Sequence, residues 1–105
     1  MKSKLLRKQI NAFEECGWTV RQNEGDFYIQ QSSPAGEDIV EYFEYHKSIV
    51  DQIQEKLDSF DADEHAAMWY NARPCGQPTS MRELIKDADA IKEMYETLLQ
   101  KFEEV

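Results

Sequence analysis

The hydrophobic period of this chain changes at Ser48. Before that point, three short segments alternate every two residues. Trp18 and Val20 alternate with Thr19 and Arg21, Phe27 and Ile29 with Tyr28 and Gln30, and "DIVEYFEYH" supplies a third stretch rich in β-branched and aromatic residues. After it, the apolar residues recur at helical spacing. Ile49, Ile53, Leu57 and Phe60 form one stripe with Val50 adjacent, and Met81, Leu84, Ile85, Ala88, Ile91, Tyr95, Leu98, Leu99 and Phe102 form a longer one. Strands and helices segregated in this way make an α+β domain. A three-stranded antiparallel meander is not stable with both faces wet, so the helices have to cover one of them.

The punctuation agrees with that division. "NEGD" has the glycine that a short hairpin loop requires, "SSPAGED" separates the second strand from the third, and "NARPCGQPTS" is a loop before the last helix. Ser80 and Glu83 make a capping-box pattern that opens that helix. Upstream of the strands, residues 3–16 carry Leu6, Ile10 and Phe13 at helical spacing, with Leu5 beside them. Gly17 is placed to close this helix in the left-handed conformation. The expected order is an N-terminal helix, a three-stranded antiparallel β-meander and three C-terminal helices packed on the sheet in two layers. With 105 residues, the chain is read as a single domain over 1–105.

In the third strand, Ile39, Phe43 and Tyr45 are expected to share one face, with Val40 and Tyr42 on the other. Glu41 then falls on the apolar face, which argues for a position near the sheet edge.

"SFDADEHAAMWYNA", residues 59–72, sets acids beside a histidine. Read by spacing, it is a helix start. Asp61 is the N-cap, Glu64 completes a capping box, and Asp63 suits the positive end of the helix dipole. His65, Met68, Trp69 and Ala72 then fall on one face, with His65 at the margin of the packed stripe near Phe60. His46, His65, Cys16 and Cys75 lie in four different elements without the short spacings of a zinc site, and no EF-hand loop is present. No metal or cofactor is expected. Cys75 with His65 as base is the one nucleophile pairing available, and no phosphate-binding glycine loop or nucleophile elbow supports it. The chain is not expected to be an enzyme. The two cysteines and the lack of an apolar leader point to free thiols and a cytoplasmic location. No apolar run has the length needed to cross a bilayer.

Charge is the remaining signal. The formal net charge is −9, and the acids are segregated: Glu24 to Glu64 holds twelve of them against Lys47 and Lys56 alone. A surface this acidic repels nucleic acid and anionic lipid and attracts basic partners. Two accounts stay open. In one, the acids only keep a small accessory or protein-interaction domain soluble. In the other, Glu37, Asp38, Glu41, Glu44, Asp58, Asp61, Asp63 and Glu64 form a binding face, with Tyr42 and Tyr45 adding contact area. Such a face can occupy a basic groove built for DNA, which carries one charge per roughly 1.7 Å of axis.

The motifs Ser33-Pro34-Ala35-Gly36-Glu37-Asp38, Phe60-Asp61, Asp63-Glu64-His65, Met68-Trp69 and Arg82-Glu83-Leu84 with Asp87-Ala88 resemble a family of small acidic proteins. These occur in gut Firmicutes and on their plasmids, prophages and conjugative elements. The resemblance runs from "GWTV" to the last helix. It departs in the third strand, which is more charged and more aromatic than the family's apolar alternation. Most members have no assigned biochemistry, so the resemblance implies context and no catalytic residue. Small acidic proteins of mobile elements include antirestriction and anti-CRISPR proteins, some of which mimic DNA. The implied function is a non-enzymatic inhibitor in the bacterial host cytoplasm. Its implied partner is a basic nucleic-acid-binding protein such as a Cas9-type nuclease, whose charged channel or PAM-reading site it would block. Neither direct nucleic-acid binding nor a membrane partner is implied.

Overall fold

The computed structural model describes residues 5–72 and 80–104, with the side chains of Trp69, Asn71 and Ala72 outside that description. The elements run α1 (Arg7–Glu15), β1 (Thr19–Gln22), β2 (Asp26–Ser32), β3 (Asp38–Glu44), α2 (Ile49–Ser59), α3 (Ala62–Ala72) and α4 (Met81–Glu103). The strands pair in the order β1-β2-β3, both ladders antiparallel, with Val20 opposite Ile29 and Phe27 opposite Phe43. The fold is therefore the expected α+β arrangement of an N-terminal helix, an antiparallel meander and three C-terminal helices packed on the sheet.

Local chemistry fixes the element ends. Gly17, at φ +90°, closes α1. The Trp18 N–H donates to the Phe13 carbonyl at 3.0 Å and the Gly17 N–H to the Glu14 carbonyl at 2.9 Å, which is a Schellman motif. Its customary hydrophobic contact is supplied by Trp18 and Phe13, both buried. The Ser48 hydroxyl accepts from the Asp51 N–H at the start of α2. Ser80 and Glu83 make the reciprocal box at the start of α4.

The core lies between the sheet and the helices. Phe13 of α1 sits 5.8 Å, centroid to centroid, from both Phe27 and Phe43 of the sheet, and 4.5 Å from Phe102 of α4. Trp18 stacks on Tyr95 at 6.3 Å, and Ile29, Ile53, Ile91 and Leu98 fill the remaining space. The face with Ile39, Glu41, Phe43 and Tyr45 is the one turned to the helices, as the alternation suggests. Val40 and Tyr42 are exposed on the other.

Three expectations need correction. Helix α1 begins at Arg7, so Leu6 precedes it at the surface, 58% exposed, and Leu5 takes the buried place. On α3 the packed positions are Ala62 and Ala66 against Leu84, Ala88 and Phe60, while Met68 is 63% exposed. Small residues at i and i+4 let α3 approach α4 closely, and that leaves Met68 turned outward. Trp69 and Ala72 of the expected stripe lie outside the described side chains. At the start of α4, Met81 and Ile85 are exposed although they continue its apolar face.

Candidate acidic interface

β3 carries three of the proposed binding acids, Asp38, Glu41 and Glu44, and they stand in different states. Asp38 and Glu44 stand on the open face of the sheet. The Asp38 carboxylate accepts from Gln30 Nε2 at 2.9 and 3.0 Å, and Glu44 pairs with Lys47 at 2.9 Å. Glu41 points the other way. Its Oε1 accepts from the Tyr95 hydroxyl at 2.8 Å, and its Oε2 lies 3.3 Å from Lys56 Nζ, with Lys56 also 4.9 Å above the Phe43 ring. One inward carboxylate thus ties β3 to α2 and α4. Burial first, and the nearby Glu41 second, push the Tyr95 phenol far above its ordinary range, so it stays a hydrogen-bond donor.

Glu37 is also engaged. His65 Nε2 lies 2.8 Å from its Oε2, and because a carboxylate accepts, the ring nitrogen donates. The His65 ring rests 5.1 Å from Phe60, as its expected place at the stripe margin requires. The histidine therefore fastens α3 to the β2–β3 loop. His65→Ala is expected to cost about 1 kcal/mol in urea unfolding, the ordinary size of one lost hydrogen bond with a partly exposed partner.

The same loop is held a second time. Asp87 of α4 is buried, and its carboxylate accepts from the Ser33 hydroxyl at 2.7 Å and from the Ala35 N–H at 2.8 Å. Ser33 Oγ in turn accepts from the Glu37 N–H at 3.0 Å. The stretches 33–38, 63–65 and 82–88, far apart in sequence, meet here. Their polar residues fix the β2–β3 loop to the helices.

The aromatic residues separate. Tyr42 stands on the open face, 59% exposed, beside Tyr28 at 5.3 Å. Tyr45 is on the helix side, where its hydroxyl donates to the Asn23 carbonyl at 2.9 Å, and burial raises its phenol. The two tyrosines do not share one contact surface.

The other acids of the expected face gather beyond β3. Asp58 accepts from Gln54, and Asp61 accepts from the Glu64 N–H at 3.1 Å, capping α3 as its spacing requires. Asp63 and Glu64 are exposed. Two residues missing from the expected face join them. Asp51 and Glu55 are exposed on α2, and with Asp58 they follow a spacing of four and three residues, which is one side of a helix. The signal was readable as the polar complement of the Ile49–Ile53–Leu57 stripe. Among the described residues, no Lys, Arg or His forms an ion pair with Asp51, Glu55, Asp58, Asp61, Asp63 or Glu64. Lys47 and Lys56 bind Glu44 and Glu41 instead.

Cys16 is half-buried, and burial raises its thiol despite Lys101 nearby. Cys75 lies outside the described residues. Among the described residues, no three His, Cys, Asp or Glu side chains are placed to hold a metal ion, and no helix is long and apolar enough to cross a membrane. Comparison with protein-family models, with curated proteins and with solved structures returns no match to this chain.

Proposed function

We propose that the protein is a non-enzymatic inhibitor that covers the basic nucleic-acid-binding surface of a partner protein. The context implied by the resemblance makes that partner a bacterial defence nuclease of the Cas9 type. The observation that carries this reading is the run of exposed carboxylates along α2 and into α3: Asp51, Glu55, Asp58, Asp61, Asp63 and Glu64. Along α2 they recur about every 5 Å of helix axis, from a rise of about 1.5 Å per residue. A DNA strand sets its phosphates about 3.4 Å apart along the duplex axis, a spacing of the same order. Glu44, at the end of β3, stands on the open face of the sheet and is paired with Lys47. Glu37 and Glu41 take no part in the run, because each is bound within the fold.

Phosphates bound by Lys and Arg release counterions, and an acidic protein that replaces them does the same, so its binding weakens steeply with salt. In a gel-shift assay, excess protein is expected to displace DNA from a guide-loaded Cas9-type nuclease at low salt. Competition should fall as salt rises. Unchanged nuclease–DNA binding under excess protein at low salt rules out occupation of the DNA site.

A further inference from the structure

β3 is the outer strand of the sheet on the side away from β1, and its backbone directions can be assigned residue by residue. The Glu44 N–H donates to Gln52 Oε1 at 2.7 Å, and Gln52 Nε2 donates to the Glu44 carbonyl at 2.9 Å. Gln52 is buried and comes from α2, so Glu44 turns its backbone away from β2. In an antiparallel strand that direction repeats every two residues, so Tyr42, Val40 and Asp38 also turn away from β2. The ladder past the other end agrees. The Ser33 N–H donates to the Glu37 carbonyl at 2.8 Å, placing the odd-numbered residues of this strand on the β2 side. Gln52 thus acts as a one-residue mock strand that closes the edge at Glu44. From Asp38 to Tyr42, the outward N–H and C=O groups meet no further strand among the described residues.

Alternating donors and acceptors at a two-residue period are satisfied as a set by one kind of ligand, an extended backbone. The side chains beside this edge set its charge. Asp38 and Glu44 stand on the open face with Val40 and the Tyr42–Tyr28 pair, and Glu41 stands on the helix side. There a groove is lined by Glu41, Glu55, Lys56, Ser59, Phe60 and Tyr95. A second copy of this chain brings another −9 and the same acidic strand to that edge, which disfavours self-pairing. We propose that the Asp38–Tyr42 edge of β3 receives an extended, Lys/Arg-bearing segment of the partner protein as a fourth strand of the sheet. This deepens the reading of an acidic inhibitor and rests on its basic partner. It adds a backbone-directed contact to one that charge alone would leave without register.

The test uses the full chain and a blocked heptapeptide that alternates lysine and valine, with amide hydrogen exchange read by NMR. The peptide is expected to slow exchange at Val40 and Tyr42. The same peptide N-methylated at every second residue loses the donors that face β3 and is expected to bind about tenfold more weakly. Val40→Pro removes an outward N–H that β2 does not use, so the fold should persist while peptide affinity falls by about tenfold. A glutamate–valine peptide should leave both amides unchanged.

Three outcomes of the peptide experiment overturn the proposal. In one, the lysine peptide leaves Val40 and Tyr42 unprotected. In another, the N-methylated peptide binds as well as its parent. In the third, Val40 and Tyr42 become protected with protein concentration alone, which assigns the edge to a second copy. These readouts are separate from the nuclease competition. If Val40→Pro competes as well as the parent, the edge inference fails and the inhibitor reading stands. If the parent chain fails to compete while the peptide still protects the edge, the inhibitor reading fails and the edge remains a strand-binding site.

Discussion

Phe13→Ala is expected to destabilise the protein by about 4 kcal/mol. Phe13 is fully buried where α1, the sheet and α4 meet, with rings of Phe27, Phe43 and Phe102 around it at 4.5 to 5.8 Å. Truncation removes the ring's transfer free energy and leaves a cavity that three separate elements cannot close together. It also removes half of the hydrophobic contact that accompanies the Gly17 turn, since Trp18 packs in the same core. A domain of this size has roughly 5–15 kcal/mol of total stability, so the loss takes a large share of it. Urea unfolding by circular dichroism reads the effect as a lower midpoint with a similar slope. A change under 1 kcal/mol shows that α1 is not integral to the core.

The second large effect is expected at a polar residue. Asp87→Ala should cost about 3 kcal/mol. The substitution strands the Ser33 hydroxyl and the Ala35 N–H, which both donate to the Asp87 carboxylate beneath the β2–β3 loop. A buried donor left without an acceptor costs more than the bond itself contributed. The loop should loosen with it, so amide exchange at Ala35 and Glu37 should accelerate more than exchange in β1. Ser33→Ala, which removes one of the two donors, should cost less than Asp87→Ala. Equal stability of Asp87→Ala and the parent contradicts this account of the loop.

Asp87 also shows where sequence reading stops. The periods of two and of 3.6 residues are local, so strand order, helix order, the Gly17 turn, the Asp61 cap and the Ser80 box could all be read from short windows. The partners of Asp87 lie 52 and 54 residues away, His65 lies 28 residues from Glu37, and Tyr95 lies 54 residues from Glu41. No local pattern distinguishes an acid that ties loops together from one that faces water. For that reason Glu37 and Glu41 are counted among binding acids in the sequence and are bound within the fold. Met68 illustrates the complementary limit. Helical spacing places it beside His65, but the side of α3 that packs is chosen by the small residues Ala62 and Ala66 meeting Leu84 and Ala88. Periodicity identified the stripe on α2, and its polar complement, Asp51, Glu55 and Asp58, stands exposed in the fold.

Position, and not total charge, is the central claim about that surface. It is tested most directly by two charge-reversed variants of equal net charge in the same nuclease–DNA competition. One carries Glu55→Lys, Asp58→Lys, Asp63→Lys and Glu64→Lys on the α2–α3 run. The other carries Asp89→Lys, Glu93→Lys, Glu96→Lys and Glu103→Lys at exposed positions of α4. Circular dichroism verifies that both remain folded. The α2–α3 variant is expected to compete about 100-fold less well at low salt, as close charge pairs at an interface turn from attractive to repulsive. The α4 variant should compete nearly as well as the parent. Equal losses in the two variants would reduce the effect to net charge, and undiminished competition by the α2–α3 variant would contradict the acidic interface itself.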